Sequence, residues 1–485
     1  MSKSINNICC IGAGYVGGPT MAVMSKYCKD IIFNVVDVNQ ERINSWNDKD
    51  LTKLPIFEPG LKEIILNNRN INLFFSTNIN ECISKADMIF ISVNTPTKRK
   101  GLGAGKASDL KWVEACARQV ALYAKKHTIV VEKSTLPVRT AEVIQKILNT
   151  AKRGSVNNLS FDVLSNPEFL AEGTAINDLE NPDRVLIGGD NKNAINLLID
   201  IYKNWVPENK IICTNIWSSE LAKLTSNAFL AQRISSINSI GAICEATGAN
   251  VREVSRAIGT DSRIGSKFLD AGPGFGGSCF KKDILNLVYL AEYYGLDEVA
   301  NFWEGVVKLN NWHQHRISQL VSKKLFGSVS GKKICILGFS FKANTNDTRE
   351  SSAITICKDL IEEGSHLLIH DPKVNQIQIE KDLGVEALSN SSKLINIDIY
   401  TSKGSWCKVN DIYTACNKVD AIIVLTEWPE YSNINWKFIS QKVRQPTWIF
   451  DSRSIVNSEE VIAAGLNLWK IGYGFYNSVD NDAII

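Results

Sequence analysis

The sequence predicts an α/β protein in which two parallel sheets are joined by a long central helix and a helical connector. Three observations support this fold class. The first part of the chain alternates short β-rich runs with helical patterns, a long proline-free helical pattern follows, and the alternation then returns. Such alternation is typical of parallel sheets with helices on both faces. We expect domain boundaries at 1–216, 217–330 and 331–470, followed by a short tail at 471–485.

The composition agrees with a multidomain globular protein. A chain of 485 residues is too long for one hydrophobic core, and about three domains are expected. Apolar residues make up 44% of the chain, and the formal net charge is +3 with no long block of one sign. Neither nucleic acid nor an anionic membrane is therefore expected as a partner. No apolar run reaches membrane-spanning length and the N-terminus has no signal-peptide pattern, so we expect a cytoplasmic protein.

The cysteines and histidines do not suggest a metal site. None of the twelve cysteines forms a CxxC pair, and most lie within apolar strand or helix patterns. Without a secretion signal, they are interpreted as reduced, buried, small hydrophobic residues. We therefore expect neither a structural zinc site nor a catalytic metal.

Seven short β-rich runs are the candidate strands of the first domain. They are Ile8–Ile11, Ile32–Val36, Leu73–Phe75, Met88–Val93, Thr128–Val131, Phe161–Leu164 and Val185–Ile187. From about Trp217, the pattern SSELAKLTSNAFLAQRISSINSIGAICEATG carries small and apolar residues around much of its circumference, so a largely buried helix is expected. The candidate strands of the second, smaller α/β domain lie in KKICILGFSF, HLLIHDPK, DAIIVLTEW and PTWIFDSR.

A glycine motif follows the first candidate strand. Gly12, Gly14 and Gly17 form a GxGxxG pattern that opens a helix, and the next strand ends at Asp37, twenty residues after Gly17. This spacing is typical of the dinucleotide-binding Rossmann fold, in which the glycines let the backbone approach a pyrophosphate at a helix N-terminus. Asp37 is suited to both ribose hydroxyls and repels a 2′-phosphate, which favours NAD over NADP. The alternative is a structural glycine turn with an ordinary exposed aspartate.

Two further strand ends are expected to meet the same cofactor, because ligands of such sheets bind beyond the carboxyl ends of the strands. They are ISVNTPT at 91–97 and VEKSTLPVRT at 131–140, the second with Thr135 at a turn. The alternative for each is a purely structural turn.

A cysteine stands among three glycines in GFGGSCFKKD, residues 274–283. The glycines precede a helix predicted to start near Ser278, and we expect them to leave space for a substrate next to Cys279. Free N–H groups and the helix dipole favour a thiolate in the first turn of a helix. Asp283 lies four residues further on, on the same helix face. Cys279 is a candidate nucleophile, and the alternative is a cysteine that only packs.

Two other polar pairs share the four-residue spacing. Glu168 and Glu172 lie in SNPEFLAEGTA, and Lys223 and Asn227 lie on the central helix. A glutamate is a candidate general base for a water, and a lysine with an asparagine can hold an oxyanion. For each pair the alternative is a solvated helix face.

A nucleophilic cysteine together with NAD suggests a four-electron oxidation. Hydride removal from a primary alcohol gives an aldehyde, to which a thiolate adds. The thiohemiacetal loses a second hydride, and the resulting thioester needs a water and a base to release an acid.

Eight motifs follow one another along roughly residues 5–470. They are GAGYVGGPT, VNTPT, EKSTLPVR, SNPEFLAEGTA, ELAKLTSNAFLAQRIS, GPGFGGSCFKKD, GFSFKANTNDTRES and TEW. In this order they resemble the UDP-glucose/GDP-mannose dehydrogenase family, and within it the members that oxidise UDP-glucose. The resemblance implies an NAD-binding Rossmann-like domain at 1–216, a central helical domain with the catalytic cysteine loop at 217–330 and a UDP-binding Rossmann-like domain at 331–470.

The resemblance also implies a reaction, in which UDP-glucose, two NAD+ and water give UDP-glucuronate and two NADH. It implies roles for six residues: a nucleophile (Cys279), oxyanion holders (Lys223, Asn227), a pair that orders a proton-transferring water (Asp283, Thr135), and the base or water-positioning group of thioester hydrolysis (Glu168).

The resemblance also implies binding residues at two sets of positions. The cofactor set is Gly12, Gly14, Tyr15, Val16, Gly17, Asp37, Arg42, Val93, Asn94, Thr95, Pro96, Thr97, Ser134, Thr135, Glu172 and Arg349. The substrate set is Glu168, Phe169, Leu170, Ala171, Glu172, Lys223, Asn227, Arg263, Phe268, Leu269, Phe275, Gly276, Cys279, Phe280, Phe341, Lys342 and Arg453. Arg263 is expected to reach the substrate of a neighbouring subunit, so the active unit is expected to be at least a homodimer. The alternative for Arg263 is an ordinary surface ion pair.

Three other functions stay open. One is a dehydrogenase of another nucleotide sugar, such as GDP-mannose or a UDP-N-acetylhexosamine. Another is a two-electron dehydrogenase of the hydroxyacid type, which needs no cysteine. The third is a protein that binds NAD or a nucleotide sugar without catalysis, against which the presence of Cys279, Lys223, Glu168 and Asp283 argues. The second α/β domain lacks GxGxxG, so a second NAD is not expected there.

Overall fold

The computed structural model describes residues 4–151, 159–388 and 403–476. Residues 477–485 of the predicted C-terminal tail lie outside this part of the chain. Within the described part, no helix is both long enough and apolar enough to span a membrane.

The chain forms two compact units. The first comprises Met1–Ser226 and Leu285–Ala300, and the second comprises Asn227–Ile284 and Asn301–Ile485. Each unit contains one mostly parallel sheet with helices on both faces. The α/β class with two Rossmann-like sheets and a long helix is thereby confirmed, whereas the three predicted domain boundaries stay a prediction.

The sheet of the first unit has eight strands among the described residues, in the order β3-β2-β1-β4-β5-β6-β7-β8. The strands are β1 Asn7–Ile11, β2 Ile32–Val36, β3 Leu73–Ser76, β4 Met88–Ile91, β5 Thr128–Glu132, β6 Phe161–Ser165, β7 Val185–Gly188 and β8 Ile211–Thr214. All neighbours pair in parallel except β6 and β7, which meet at one antiparallel pair, Ser165 with Gly188. The seven predicted strands are present. The eighth, β8, escaped prediction because it lies at the sheet edge and is half exposed, so it carries no strong apolar pattern.

Helices cover both faces of this sheet. They are α1 Gly17–Tyr27, α2 Gln40–Asn47, α3 Leu61–Asn68, α4 Ile79–Lys85, α5 Lys111–Tyr123, α6 Thr140–Ala151, α7 Ala175–Glu180 and α8 Lys192–Tyr202, with short 3-10 helices at Leu51–Lys53 and Glu208–Lys210. Successive residues of a strand face opposite sides. Cys10 of β1 is accordingly buried in a core with α1, α3 and α8, and its neighbour Cys9 in a second core with α4, α5 and α6. This placement agrees with the interpretation of the cysteines as small core residues.

Four helices form the connecting part of the chain. They are α9 Ile216–Thr247, α10 Val251–Gly259, α11 Phe280–Tyr293 and α12 Asp297–Lys324. The expectation that α9 is largely buried holds for most of its residues but not for every side of the helix. Leu224, Ala228 and Ala231 are fully buried, but Phe229 is 55% exposed and Ile243 56% exposed. Helical periodicity shows which residues share a side of the helix, but it does not show which sides the rest of the chain covers.

The sheet of the second unit has seven strands among the described residues, in the order β11-β10-β9-β12-β13-β14-β15. The strands are β9 Lys333–Leu337, β10 His366–His370, β11 Ser405–Lys408, β12 Ala421–Val424, β13 Trp448–Asp451, β14 Asn467–Lys470 and β15 Gly474–Tyr476. The helices after α12 are α13 Ser352–Glu362, α14 Gln376–Leu383, α15 Ile412–Ala415, α16 Trp436–Ser440 and α17 Ser458–Ala463, with a 3-10 helix at Pro429–Asn433. The edge strand β15 lies in the predicted tail and pairs antiparallel with β14.

Candidate active site

The turn after β1 has the shape of a pyrophosphate cradle. A Cβ atom on Gly12 would collide with the carbonyl of Ser92, and one on Gly17 would collide with the carbonyl of Gly12. A Cβ on Gly14 would meet nothing within 4 Å. Gly12 and Gly17 are thus required by packing, whereas the bare backbone at Gly14 faces open space. This is the arrangement that lets a dinucleotide approach the N-terminus of α1.

Asp37 stands at the end of β2, next to this turn, and is only 8% exposed. Its Oδ2 accepts a hydrogen bond from the Ala13 N–H at 3.0 Å and pairs with Arg42 Nη1 at 3.0 Å, and its Oδ1 accepts from the Asn39 N–H. The structure therefore brings together two residues of the predicted cofactor set. Tyr15 and Val16 lie half-buried in the turn itself.

The two strand-end turns predicted separately are hydrogen-bonded to each other. Ser134 Oγ donates to the Val93 carbonyl at 2.7 Å, and Thr95 Oγ1 donates to the Thr135 carbonyl at 2.9 Å. Both turns follow neighbouring strands, β4 and β5. Asn94, Pro96 and Thr97 belong to the first turn, and Thr97 also forms an isolated bridge with Ser108.

Glu168 follows β6, and only 11% of its side chain is exposed. Several neighbouring groups bind its carboxylate. Its Oε1 accepts from the N–H groups of Phe169 and Leu170 at 2.7 and 2.9 Å, and its Oε2 lies 2.9 Å from Lys133 Nζ. Burial raises the pKa of Glu168. The positive charges of Lys133 and Lys223 and the hydrogen bond from the Leu170 N–H lower it by more, so the net pKa lies below its ordinary value. Glu168 is therefore a carboxylate at neutral pH.

The segment after Glu168 is fixed by neighbouring side chains. Lys223, on α9 and 7% exposed, has its Nζ 5.1 Å from the centroid of the Phe169 ring, and the Arg184 guanidinium lies 3.9 Å from the same centroid. The Ala171 N–H donates to Asp178 Oδ2 at 2.9 Å. Leu170 and Glu172 are half-buried in the same segment.

In the second unit, Cys279 immediately precedes α11. The helix starts at Phe280, two residues later than predicted, and the Cys279 carbonyl accepts the Asp283 N–H at 2.8 Å. Cys279 thus occupies the N-cap position and not the first turn. Its side chain is exposed, and its Sγ lies 3.4 Å from Ser278 Oγ. The thiol nevertheless lies at the N-terminus of α11, as predicted.

Asp283 is fully buried and contacts one other predicted catalytic residue, Asn227, and one residue that was not predicted, Lys282. Asn227 Nδ2 donates to Asp283 Oδ2 at 2.6 Å, and Lys282 Nζ lies 2.7 Å from Asp283 Oδ1. Asn227 and Asp283 are therefore in contact within the second unit. Lys282 is absent from the sequence-based predictions because adjacent residues on a helix do not share a face.

The glycines before Cys279 do not open a space in the way the sequence suggested. A Cβ on Gly276 would lie 2.5 Å from the Glu350 carbonyl oxygen, and one on Gly277 would lie 3.1 Å from the Phe341 ring. The Gly277 N–H also donates to the Arg349 carbonyl at 2.8 Å. The expectation that these glycines clear room for a substrate was wrong: they allow the cysteine loop to pack against residues 341–350.

Buried polar side chains hold this loop further upstream. Asn310 binds both backbone groups of Phe275, accepting its N–H at 2.8 Å and donating to its carbonyl at 3.2 Å. Asn238 accepts the Gly272 N–H, and His313 Nε2 lies 2.9 Å from the Gly272 carbonyl. Burial lowers the pKa of His313 to about 4, so its neutral ring donates from Nε2.

The remaining substrate residues of the second unit lie around the turn after β9. Arg453 Nη2 donates to the Phe341 carbonyl at 3.0 Å, and Arg453 Nε pairs with Glu427 at 3.0 Å. Lys342 Nζ lies 5.5 Å from the centroid of the Phe341 ring.

Further residues of the substrate set lie in the cysteine loop and at the start of α11. Phe280 meets Phe275 edge to face at 6.1 Å between ring centroids. Leu269 is buried, while Phe268 is 40% exposed.

Three family models match the chain in succession. The NAD binding domain of the UDP-glucose/GDP-mannose dehydrogenase family matches residues 6–206, the central domain 217–312 and the UDP binding domain 335–458. The chain belongs to the UDP-glucose/GDP-mannose dehydrogenase family. The family predicted from the motifs is thereby confirmed, as is NAD as the cofactor.

The similarity of this dehydrogenase to known proteins extends over almost the whole chain. A UDP-glucose 6-dehydrogenase of Drosophila melanogaster is 52% identical over 469 residues, 96% of each chain. UDP-glucose 6-dehydrogenase 1 of Arabidopsis thaliana is 50% identical over 472 residues, again 96% of each chain. The solved structure of a UDP-glucose dehydrogenase from the archaeon Pyrobaculum islandicum superposes with a TM-score of 0.81 at 29% identity, covering 98% of each chain.

Two predicted arginines of this dehydrogenase form ion pairs with aspartates outside the predicted set. Arg263 has an 87% exposed side chain and pairs with Asp261 at 2.7 Å, and Arg349 pairs with Asp347 at 2.5 Å. Glu168, Lys223 and Thr135 belong to the first unit, whereas Cys279, Asn227 and Asp283 belong to the second. The joint action of these six residues therefore stays a prediction.

Several structurally important polar residues of this dehydrogenase were not predicted. Glu58 is buried and accepts the N–H groups of Gly173 and Ala175 on either side of Thr174, which fixes the turn after Glu172. The pattern offered no signal for it, because Glu58 lies 115 residues from Gly173 in the chain.

A buried pair of glutamates was also not predicted. Burial raises the pKa of Glu132, and the neighbouring Glu220 raises it further. Glu220 caps α6 by accepting the Arg139 and Ala141 N–H groups at 2.7 and 2.8 Å. In sequence, Glu132 looked only like the end of an apolar strand.

Proposed function

We propose that this chain is a UDP-glucose 6-dehydrogenase. It oxidises the C6 alcohol of UDP-glucose to a carboxylate, using two NAD+ and one water and releasing two NADH and three protons. The observation that carries the proposal is identity of 50–52% over 96% of the chain to curated proteins named UDP-glucose 6-dehydrogenase. The presence of every residue of the predicted catalytic set supports it.

Cofactor binding rests on the turn after β1. The open backbone at Gly14 and the N-terminus of α1 fit a pyrophosphate, and Asp37 fits the ribose hydroxyls. Arg42 pairs with Asp37 and holds that carboxylate in place. When bound, NAD+ supplies the hydride acceptor for both oxidation steps.

Cys279 acts at the aldehyde level. In the first oxidation the C6 hydroxyl gives its proton to a water ordered by Asp283 and Thr135. The Cys279 thiolate then adds to C6, so that a C–S bond forms and the carbonyl oxygen becomes an oxyanion held by Lys223 and Asn227. Loss of the second hydride leaves a thioester on Cys279. The exposed thiol at the N-terminus of α11 supports this role.

Glu168 acts in the last step. It takes a proton from a water whose oxygen attacks C6, the C–S bond breaks, and Cys279 leaves as a thiolate. The lowered pKa of Glu168, which follows from its neighbours despite burial, supports a base that is ionised at neutral pH.

The UDP moiety is expected in the second unit, because the family's UDP binding domain matches residues 335–458 of that unit. Lys342 and Arg453 supply cationic groups for the diphosphate, and Phe341 supplies a ring. The proposal also includes a cytoplasmic location and an active unit of at least two chains, with Arg263 reaching the neighbouring substrate. The large exposure of Arg263 supports such a reach.

The test is the stoichiometry of the reaction, measured as NADH formed per UDP-glucose consumed with excess NAD+. We expect a ratio of two, and a fall in turnover of about a thousandfold for Cys279→Ser. A ratio of one, or a Cys279→Ser variant with normal turnover, would mean a two-electron alcohol oxidation. Parallel assays with GDP-mannose and UDP-N-acetylglucosamine decide between nucleotide sugars, and no NADH from any of them would leave only a binding protein.

A further inference from the structure

Lys133 is a buried cation that has no role in the proposed mechanism so far. It follows β5 directly and is 3% exposed. Its backbone N–H donates to the Ile91 carbonyl at 3.0 Å, which fixes its position at the sheet end. An ammonium group so deeply buried requires partners for its three N–H donors.

The side chain of Lys133 is surrounded by three oxygen atoms of the first unit. Its Nζ lies 2.9 Å from Glu168 Oε2, 3.2 Å from Asn166 Oδ1 and 3.4 Å from the Tyr202 hydroxyl. The Tyr202 hydroxyl in turn donates to Asn166 Oδ1 at 2.6 Å. Of these three partners, Glu168 is the only carboxylate, so the cluster is an ion pair stabilised by two neutral groups.

We propose that Lys133 is a positioning residue for thioester hydrolysis, which holds the Glu168 carboxylate ionised and turned so that Oε2 receives the proton of the attacking water. The proposal rests on the function proposed above and adds a residue to it. Lys133 touches Glu168 and is not placed in contact with the substrate.

The hydrogen bonds of Glu168 leave one oxygen with spare capacity. A carboxylate offers about four lone-pair sites. Oε1 accepts two backbone N–H groups, whereas Oε2 has Lys133 at 2.9 Å and accepts no other hydrogen bond from the described residues. A water proton is therefore accepted at Oε2. The proton passes from water to Oε2, the water oxygen bonds to C6, and the Cys279 sulfur leaves with the C–S electron pair.

The charges around Glu168 show why Lys133 matters. The groups that face it are Lys133 from the end of β5, Lys223 from α9 and Tyr202 from α8, while Arg184 stacks on the adjacent Phe169 ring. Burial alone raises the pKa of Glu168, and Lys133 is the strongest influence in the opposite direction. The pKa of Lys133 is shifted as well. Burial lowers it, but Glu168 and Tyr202 raise it by more, so the net pKa lies above its ordinary value. Both groups are thus charged at neutral pH.

The experiment compares Lys133→Met with wild type in steady-state and rapid-mixing assays. Without the cation, the pKa of Glu168 rises, so that a smaller fraction of the carboxyl group is ionised at a given pH and hydrolysis slows. We expect kcat at pH 7 to fall by about a hundredfold, with a rapid burst of NADH preceding a slow steady state. We also expect kcat to recover as the pH rises, with an apparent pKa higher than in wild type, and KM for UDP-glucose to change little.

Two matched variants separate this role from a structural one. Lys133→Arg keeps the charge and is expected to restore most of kcat and the wild-type pH profile. Tyr202→Phe removes a neighbouring hydrogen bond but keeps the ion pair, and is expected to lower stability without moving the profile. Should Lys133→Met not fold, Lys133→Gln, which keeps a donor towards Glu168, carries the same expectation.

The possible results point to different conclusions. A Lys133→Met or Lys133→Gln enzyme with the wild-type pH profile, or with a loss of kcat that no pH restores, overturns the role of Lys133 alone. A wild-type enzyme that forms no NADH from UDP-glucose, or only one per sugar, overturns the proposed function and this inference with it.

Discussion

Two glycine-rich segments carry the proposed chemistry, and the structure uses them differently. In Gly12–Gly17, two glycines are needed for packing and Gly14 faces open space. In Gly274–Gly277, the Cβ direction of each of the three glycines is filled by protein: Asn310 at Gly274, the Glu350 carbonyl at Gly276 and the Phe341 ring at Gly277. At Gly14 of the first segment the missing side chain leaves open space, where we propose that the cofactor binds, whereas in the second segment the missing side chains let other parts of the protein pack closely.

The difference shows that a glycine run near a functional residue has two distinct physical causes. Glycine lets a backbone approach a ligand, and it equally lets one backbone approach another. Only the atoms opposite the missing Cβ decide between them. Near Cys279, the absence of side chains at Gly276 and Gly277 lets the cysteine loop pack closely against residues 341–350. The position of the thiol therefore depends on that contact.

The strongest test of this comparison is Gly276→Ala. The new Cβ meets a backbone carbonyl that cannot move aside cheaply, so we expect the free energy of unfolding of the second unit to fall by about 3 kcal/mol. We also expect a clear loss of kcat, because Cys279 lies three residues away. Urea denaturation and steady-state kinetics measure the two effects.

A glycine of the same unit provides the control for that change. Gly305 lies within α12, is exposed, and has nothing within 4 Å of its Cβ direction. Gly305→Ala is expected to raise stability by up to about 1 kcal/mol through helix propensity. Equal effects of Gly276→Ala and Gly305→Ala would remove the packing explanation for the cysteine loop.

A pH effect probes how the same loop is held. His313 donates to the Gly272 carbonyl, and its other ring nitrogen, Nδ1, is buried with no hydrogen-bond partner among the described residues. Burial lowers its pKa from 6.5 to about 4 in the folded state. The unfolded chain therefore binds more protons between these values, and the stability contributed by the neutral ring is lost as the pH falls through that window.

We expect His313 to account for about 3 kcal/mol of lost stability between pH 7 and pH 4. His313→Gln keeps a donor for Gly272 but does not titrate, so its unfolding free energy should fall less over the same range. Denaturation curves of both proteins at several pH values give the difference. Parallel losses in the two proteins would contradict the buried neutral histidine.

The smallest expected effect is at the open glycine of the first segment. Gly14→Ala adds a methyl group where nothing lies within 4 Å, so the unfolding free energy should stay within about 0.5 kcal/mol of wild type. The methyl group occupies the space proposed for the pyrophosphate, so KM for NAD+ should rise about tenfold while KM for UDP-glucose stays unchanged. An unchanged KM for NAD+ would mean that the cofactor does not approach the backbone there.

Much of the site was predictable because its signals are local. Gly12, Gly17 and Asp37 lie within one strand–turn–helix–strand unit, so their spacing alone predicted their neighbourhood, and Asp37 indeed binds the Ala13 N–H. Lys223 and Asn227 were predicted to share one face of the central helix because they are four residues apart. The strands with long apolar runs were found, whereas the half-exposed edge strand β8 and the short strands β11, β14 and β15 were not.

The groups that support the site were not predictable in this way. Lys133 and Glu168 lie 35 residues apart in the chain and at the ends of neighbouring strands β5 and β6. Asn310 reaches Phe275 from a different helix. No periodicity within one element encodes such pairs, because they form only when separate elements pack together.

The amino-acid sequence by itself determined the α/β class, the NAD-binding turn, the family and the candidate nucleophile, since each depends on residue types at short, regular spacings. Only the tertiary structure decided which glycines are open, where the cysteine stands relative to its helix, and which buried charge faces Glu168. The physical reason is that burial and pairing energies depend on the atoms that surround a side chain, and most of those atoms come from distant parts of the chain.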